Sequence, residues 1–295
     1  MYGIEANVRV STFTIGGYFT WWDWNSYPAA FEGTAGFPLN RSNALWTGLY
    51  VDGKLGPLLL NFDFCYDDGK IESRSQNAGK PRDVDLSGWG AILNIGFPWE
   101  KFLFGGQFIY GTGADLKKTS PTGLPGTTVG NGTATSSKVG AFLVPGGTEA
   151  SNSHALVVDG AGINRGDTGY EPAADIHSRS GFGGLWIGKL YGAFQVSPIF
   201  NTRLEVMYIG DTSKHGNTIG NATRSDGTPR DDNSVGIEVD WFNTLNIYKN
   251  LTFQFGGGIL FAGDAMDYAV QGGGPDNNQS PNTPFALVAN LTYSF

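Results

Sequence analysis

The chain has 295 residues, a formal net charge of −8 and an isoelectric point of about 4.8, so it lacks the basic face that binding to nucleic acid requires. Its single cysteine, Cys65, excludes an internal disulfide, and no apolar run reaches the roughly eighteen residues of a membrane-spanning helix. Charged residues are 16% of the chain while 45 glycines and 14% aromatics stand out; an average soluble domain carries roughly 25% charge.

In chain order, nearly every regular segment alternates with period two, the signature of a strand with unlike faces. Ile4, Ala6, Val8 and Val10 form an apolar row at even positions, and Phe13, Ile15, Gly17, Phe19 and Trp21 a row at odd ones. A two-residue turn at Ser11-Thr12 keeps both rows on one face and makes 2–23 two strands. The pattern from Gly3 to Trp21 recurs from Gly48 to Tyr66 at a constant offset of 45 residues, as one hairpin design used twice. Leu58, Leu60, Phe62 and Phe64 follow, then Phe102, Phe104, Gly106, Phe108 and Tyr110. Next come Leu204, Val206 and Tyr208, then Val235, Ile237, Val239 and Trp241, then Leu251, Phe253, Phe255, Gly257 and Ile259. The last row is Phe285, Leu287, Ala289, Leu291, Tyr293 and Phe295, opposite Ala286, Val288, Asn290, Thr292 and Ser294.

Short links at Ser11-Thr12, Gly56-Pro57, Pro98-Trp99-Glu100, Ser197-Pro198-Ile199-Phe200 and Tyr248-Lys249-Asn250 join strands into pairs. Between pairs lie long stretches rich in Gly, Asn, Asp, Ser, Thr and Pro at 25–42, 67–85, 112–181, 212–233 and 263–283, which are loop compositions. The longest, 112–181, carries apolar patches at 139–144 and 155–158; these predict either an inward constriction or an extra outer hairpin. Alternation with few charges and a mean hydropathy of −0.19 fits an all-β, antiparallel, up-and-down barrel of about 10–12 strands, apolar outside and polar within. One barrel domain over 1–295 is expected.

The close of the chain, Leu291-Thr292-Tyr293-Ser294-Phe295, resembles the C-terminal signal of Gram-negative outer-membrane β-barrel proteins, an alternating strand that ends on an aromatic residue. The resemblance covers the last strand only. It implies a bacterial outer-membrane location, short turns on the periplasmic side, and reading of Leu291, Tyr293 and Phe295 by the barrel-assembly machinery. Aromatics agree with two interfacial belts: Trp21, Trp22 and Trp24 at one strand exit, Phe97, Trp99 and Phe102 around a short turn, Tyr293 and Phe295 at the periplasmic rim. The count of about eleven strands, against the even count usual for bacterial single-chain barrels, predicts at least one further N-terminal strand. The opening Met1-Tyr2-Gly3-Ile4 lacks a signal peptide, so a mature form or a partial chain is expected.

By parity, Glu5, Arg9, Asp52, Lys54, Asp63, Lys101, Lys189, Arg203, Glu205, Glu238 and Asp240 line the lumen. Opposite charges sit near one another in Glu5 with Arg9, Asp52 with Lys54, and Arg203 with Glu205. Two interiors follow from these charges: a wet pore with tuned selectivity, or a salt-bridged, plugged barrel.

Catalysis finds little support. His154, His177 and His215 all fall in loops, where no rigid element positions a base, and Cys65 faces the lumen with no histidine near it. No metal site or cofactor is expected: Asp83-Val84-Asp85 and Asp231-Asp232-Asn233 lack a calcium-loop pattern, and Gly181-Phe182-Gly183-Gly184 and Gly256-Gly257-Gly258 are not phosphate loops. Arg165-Gly166-Asp167 is a chance-level tripeptide. The expected function is passive diffusion of small solutes through a charged, porin-like channel, with no enzyme activity. Lipid, the assembly machinery and solutes are the expected partners; a homo-oligomer or protein partner stays open. The alternatives are a structural, adhesive or complex-forming barrel and, third, an outer-membrane hydrolase.

Overall fold

The computed structural model describes residues 2–24, 40–73, 84–115, 138–142, 155–158 and 183–294. Its strands are β1 (Tyr2–Val10), β2 (Phe13–Trp24), β3 (Asn40–Leu55), β4 (Leu58–Ser73), β5 (Val84–Trp99), β6 (Phe102–Gly111), β7 (Lys138–Val139), β8 (Leu185–Ser197), β9 (Phe200–Asp211), β10 (Ser234–Tyr248), β11 (Leu251–Ala262), β12 (Tyr268–Ala269), β13 (Asn278–Gln279) and β14 (Phe285–Tyr293). Among the described residues the one helical feature is a 3-10 turn at Asp264–Met266.

One antiparallel sheet runs β1-β2-β3-β4-β5-β6-β8-β9-β10-β11-β14, each long strand beside the next long strand in sequence. The two-residue β7 pairs in parallel with β5 through Asp85↔Lys138 and Leu86↔Val139, and β12 and β13 form a separate small ribbon. Ten antiparallel steps return the direction of the first strand, so the two edge strands, β1 and β14, run the same way.

The short links are tight turns. Ser11 and Gly56 have φ of 56° and 59°, and in the second the next residue is Pro57, whose ring fixes a negative φ. A positive φ at the first central position alone is the type II′ pattern, whose twist matches paired strands. The two copies of the 45-residue repeat thus build two hairpins with the same turn. At Pro98-Trp99-Glu100 the strand continues through Trp99 and the turn falls on Glu100 and Lys101.

Two other boundaries differ from the sequence reading. β4 extends to Ser73 and β3 begins at Asn40, although Asp67-Asp68-Gly69-Lys70 has a loop composition. Both strands are wholly hydrogen-bonded there, with Asp67↔Trp46 and Asp68↔Leu45, because a paired backbone tolerates polar side chains. In β10 the register shifts between Ser234 and Gly236, and Gly236 has φ 144°. This bulge turns Val235 to the buried face, opposite to the side its parity predicts.

The two faces of the sheet are unlike. One presents exposed apolar side chains from end to end, among them Ile4, Val8, Ile15, Phe19, Leu49, Ile95, Phe104, Leu190, Val206, Trp241, Leu287 and Leu291. The other encloses the buried core. That inner face has close-packed stations where a tyrosine crosses a glycine of the next strand: Tyr50 over Gly16, Tyr18 over Gly48 and Tyr191 over Gly105. A Cβ at any of these glycines would overlap the ring. Changing Gly48 to valine is therefore expected to cost about 1–3 kcal/mol by overpacking. It would also displace the Tyr18 hydroxyl from the 2.9 Å hydrogen bond it donates to Asp63 Oδ1. A denaturant midpoint lower than that of the unmodified protein checks this, and an unchanged midpoint refutes it.

The loops at 212–233 and 263–284 are fastened by specific bonds. The Asp211 carboxylate accepts the backbone N–H groups of Ser213 (2.7 Å) and Thr218 (2.5 Å). Arg230 pairs with Asp232 and Asp267, each at 2.9 Å, and Asp267 also accepts the Ser280 hydroxyl at 2.6 Å.

Candidate functional site: a charged inner wall and the segments folded against it

Cross-strand register places side chains in rows along the inner face. One row reads Arg9, Thr14, Asp52, Asn61, Asn94, Gln107, Lys189, Met207, Glu238 and Leu260. It begins beside the Ser11-Thr12 turn and ends far up β11, so successive strands are staggered. The row nearer the short turns reads Lys54, Leu59, Gly96, Gly105, Tyr191, Glu205, Asp240, Gly258 and Ala286. The row nearer the long loops reads Asn7, Gly16, Tyr50, Asp63, Ile92, Ile109, Ile187 and Ile209.

Ten of the eleven charged residues singled out in the sequence lie on strands with their side chains on this inner face. Lys101 differs, because β5 and β6 close around it and it occupies the Glu100–Lys101 turn, which belongs to neither face. The ten divide into two groups by strand and by exposure.

On β1 to β4, Glu5, Arg9, Asp52 and Lys54 are exposed and Asp63 is partly buried. Tyr50 donates its hydroxyl to Glu5 Oε1 at 2.5 Å and accepts from Asn7 Nδ2 at 3.2 Å. Cys65 is buried in the core on this side.

On β8 to β10, Lys189, Glu205, Glu238 and Asp240 are all at most 3% exposed. Glu205 and Asp240 are direct cross-strand partners, and two carboxylates in that relation repel. Two devices offset this. Glu205 is held by Lys189, Nζ to Oε2 at 3.0 Å, and by an ion pair with the Arg203 guanidinium. Arg203 in turn lies 4.1 Å from the centre of the Tyr191 ring, a cation–π contact. Glu238 and Asp240 are met by the backbone of a chain segment 80 to 84 residues earlier. Val157 N donates to Glu238 Oε1 at 2.6 Å, Val158 N to Oε2 at 3.0 Å, and Leu156 N to Asp240 Oδ2 at 3.1 Å. Consecutive N–H groups converging on carboxylates are an anion-binding arrangement.

The segment 155–158 is one of three described pieces of the long 112–181 stretch that contribute to the buried core; 112–115, which continues β6, adds Ala114. The third is 138–142, where Phe142 is buried and its N–H donates to Thr112 O at 2.8 Å. The apolar patches read in the sequence thus fold inward in their described parts. Wall glycines make room for 138–142 and 155–158. A Cβ on Gly88 would stand 2.6 Å from Phe142 Cα, and one on Gly258 would stand 3.2 Å from Leu156 Cβ.

Around these pieces the inner wall is apolar on its loop side: Leu86, Ile109, Leu185, Ile187, Met207, Ile209, Val235 and Leu260 pack with Phe142, Ala155 and Val158. A uniformly polar lumen does not describe this half. The signal was present in runs apolar at both parities, Leu185-Trp186-Ile187 and Val206-Met207-Tyr208-Ile209, since a strand buried on both faces loses its alternation.

The other sequence candidates fall elsewhere. His215 is exposed, with Nδ1 2.8 Å from Asp115 Oδ1 and its N–H donating to Asp231. Asp232 is engaged by Arg230. His154, His177, Asp83, the Arg165-Gly166-Asp167 tripeptide, Gly181, Phe182 and the terminal Phe295 lie outside the described residues. Leu291 and Tyr293 are exposed on the apolar face of the edge strand β14. No protein-family model matches the chain, and no curated protein matches it in sequence.

Proposed function

We propose that this sheet is the wall of a barrel spanning a bacterial outer membrane, and that its inner face passes small solutes by diffusion. The observation that carries the reading is the inversion of the fold: large apolar side chains cover the outer face of every long strand, while the ionisable side chains Lys189, Glu205, Glu238 and Asp240 are enclosed on the other face. A water-soluble surface rarely exposes apolar patches of that extent, whereas a lipid-facing one requires them.

The aromatic residues supply a scale. One belt holds Trp21, Tyr66, Trp89, Tyr110, Trp186 and Tyr208, with stacked pairs such as Trp89–Tyr110 at 4.7 Å between ring centres. The other holds Trp99, Phe102, Phe194, Tyr248 and Tyr293, with Phe102–Phe194 also at 4.7 Å. On β5 the belts are marked by Trp89 and Trp99, ten positions apart (99 − 89). At ~3.3 Å per residue and a tilt of ~40° this is a band of about 25 Å, the height of an outer-membrane apolar band. Leu291 and Tyr293 on an edge strand suit docking by the assembly machinery.

A second reading has one observation in its favour. The filled, partly apolar interior of the loop side suits a closed barrel whose outer loops are the working surface, for adhesion or for a protein partner. Conductance separates the two. The channel reading expects discrete current steps when purified protein is reconstituted in a planar bilayer. It fails if the bilayer stays silent at every voltage with both the intact protein and the double variant Glu238→Gln/Asp240→Asn.

A further inference from the structure

We propose that residues 155–158 form a releasable latch that closes the lumen, and that Glu238 and Asp240 are the catch. The proposal rests on the channel reading, and three observations support it.

The first is where the segment sits. Lys189, Glu205, Glu238 and Asp240 face inward, yet water reaches none of them, while Glu5, Arg9, Asp52 and Lys54 across the sheet are exposed. Ala155, Leu156 and Val158 are buried in the space above the enclosed charges. Solvent continuity is interrupted where this segment lies.

The second is how it is held. Glu205 has its cations on the wall itself, in Lys189 and Arg203. The hydrogen bonds reaching Glu238 and Asp240 from outside the wall come from the segment's own backbone, at Leu156, Val157 and Val158. Backbone N–H groups can be exchanged for water at little cost to a carboxylate that becomes solvated. The three carboxylate oxygens that the segment holds therefore have partners in either position of the segment, as an element with two discrete arrangements requires. Ala155 and Val158 also pack against the apolar part of the wall, which favours the closed position of the segment.

The third is the seat. Gly258, directly opposite Asp240, leaves room for the Asp240 carboxylate and, beyond it, for Leu156: a Cβ there would overlap Asp240 Oδ1 and stand 3.2 Å from Leu156 Cβ. The wall lacks a side chain at the position where the catch carboxylate and the segment meet.

The test uses the full chain in lipid, with two variants that act differently. Glu238→Gln/Asp240→Asn replaces both carboxyl groups by amides with little change in shape, and Gly258→Val keeps both acids but adds bulk that displaces the Asp240 carboxylate and crowds Leu156. Hydrogen exchange at the amides of 156–158 and single-channel recording are measured together. The expected result is amide exchange at least tenfold faster in both variants, with open time lengthened in both. Amides that keep their original rate in both variants overturn the latch. So do amides that are released while a conducting protein shows the same open time as before. Released amides with a bilayer silent throughout overturn the channel reading, and with it the latch's role, but leave the carboxylate–amide fastening in place.

Discussion

Leu190→Arg is expected to destabilise the protein by ~2–4 kcal/mol in a lipid bilayer. Leu190 is 73% exposed on the outer face of β8, flanked in register by Gly106 and Val206. Its row contains Ile95, which lies between Trp89 and Trp99 on β5, so the side chain is near the middle of the apolar band. On the proposed membrane wall, a guanidinium there would carry its charge into hydrocarbon or distort the bilayer to reach water. The same substitution on a water-exposed surface would change stability by only about 0.5 kcal/mol in either direction. Reversible denaturant unfolding in vesicles measures the difference directly. A change inside the smaller range means that this face meets water and removes the basis for a membrane wall.

Glu205→Ala is expected to cost ~3–5 kcal/mol, because it leaves a buried cation without its counter-charge. Lys189 is 3% exposed and its ammonium is 3.0 Å from Glu205; Arg203 also pairs with the same carboxylate. Glu5→Ala on the edge strand β1 removes an exposed carboxylate and is expected to cost no more than ~1 kcal/mol. The contrast matters more than either value. Replacing both partners, Lys189→Met with Glu205→Leu, is expected to recover most of the loss, since an apolar pair of similar volume needs no desolvated charge. Unfolding midpoints of the three variants decide it. Equal small losses for Glu205→Ala and Glu5→Ala would place both carboxylates in water and contradict the enclosed wall.

Much of this architecture was legible in the chain. The alternation of Phe285 to Tyr293, of Phe13 to Trp21 and of Leu204 to Tyr208 is local, and local alternation settles which side chains share a face. The 45-residue repeat pointed to two like hairpins, and Ser11-Thr12 and Gly56-Pro57 turn in the same way. Ten of the eleven charges read as inward share a face with the core. The misses have separate causes. Val235 faces inward because a bulge at Gly236 breaks the parity that the rest of β10 keeps. Asp67 to Lys70 is strand because its backbone is paired on both sides, which composition does not report.

Determined by sequence alone are the all-β class, the order of the strands, the short turns, the apolar outer face and the inward placement of charge. Each depends on a period or a turn a few residues long. The tertiary structure decided which inward charges meet water and which are enclosed, that Ile92, Ile109, Ile187 and Ile209 form one row, and that the backbone of 156–158 meets three of the four carboxylate oxygens of Glu238 and Asp240. Those partners lie 80 to 84 residues apart. Backbone N–H groups are common to every residue except proline, so no side-chain pattern in 155–158 marks it as the partner of two distant carboxylates.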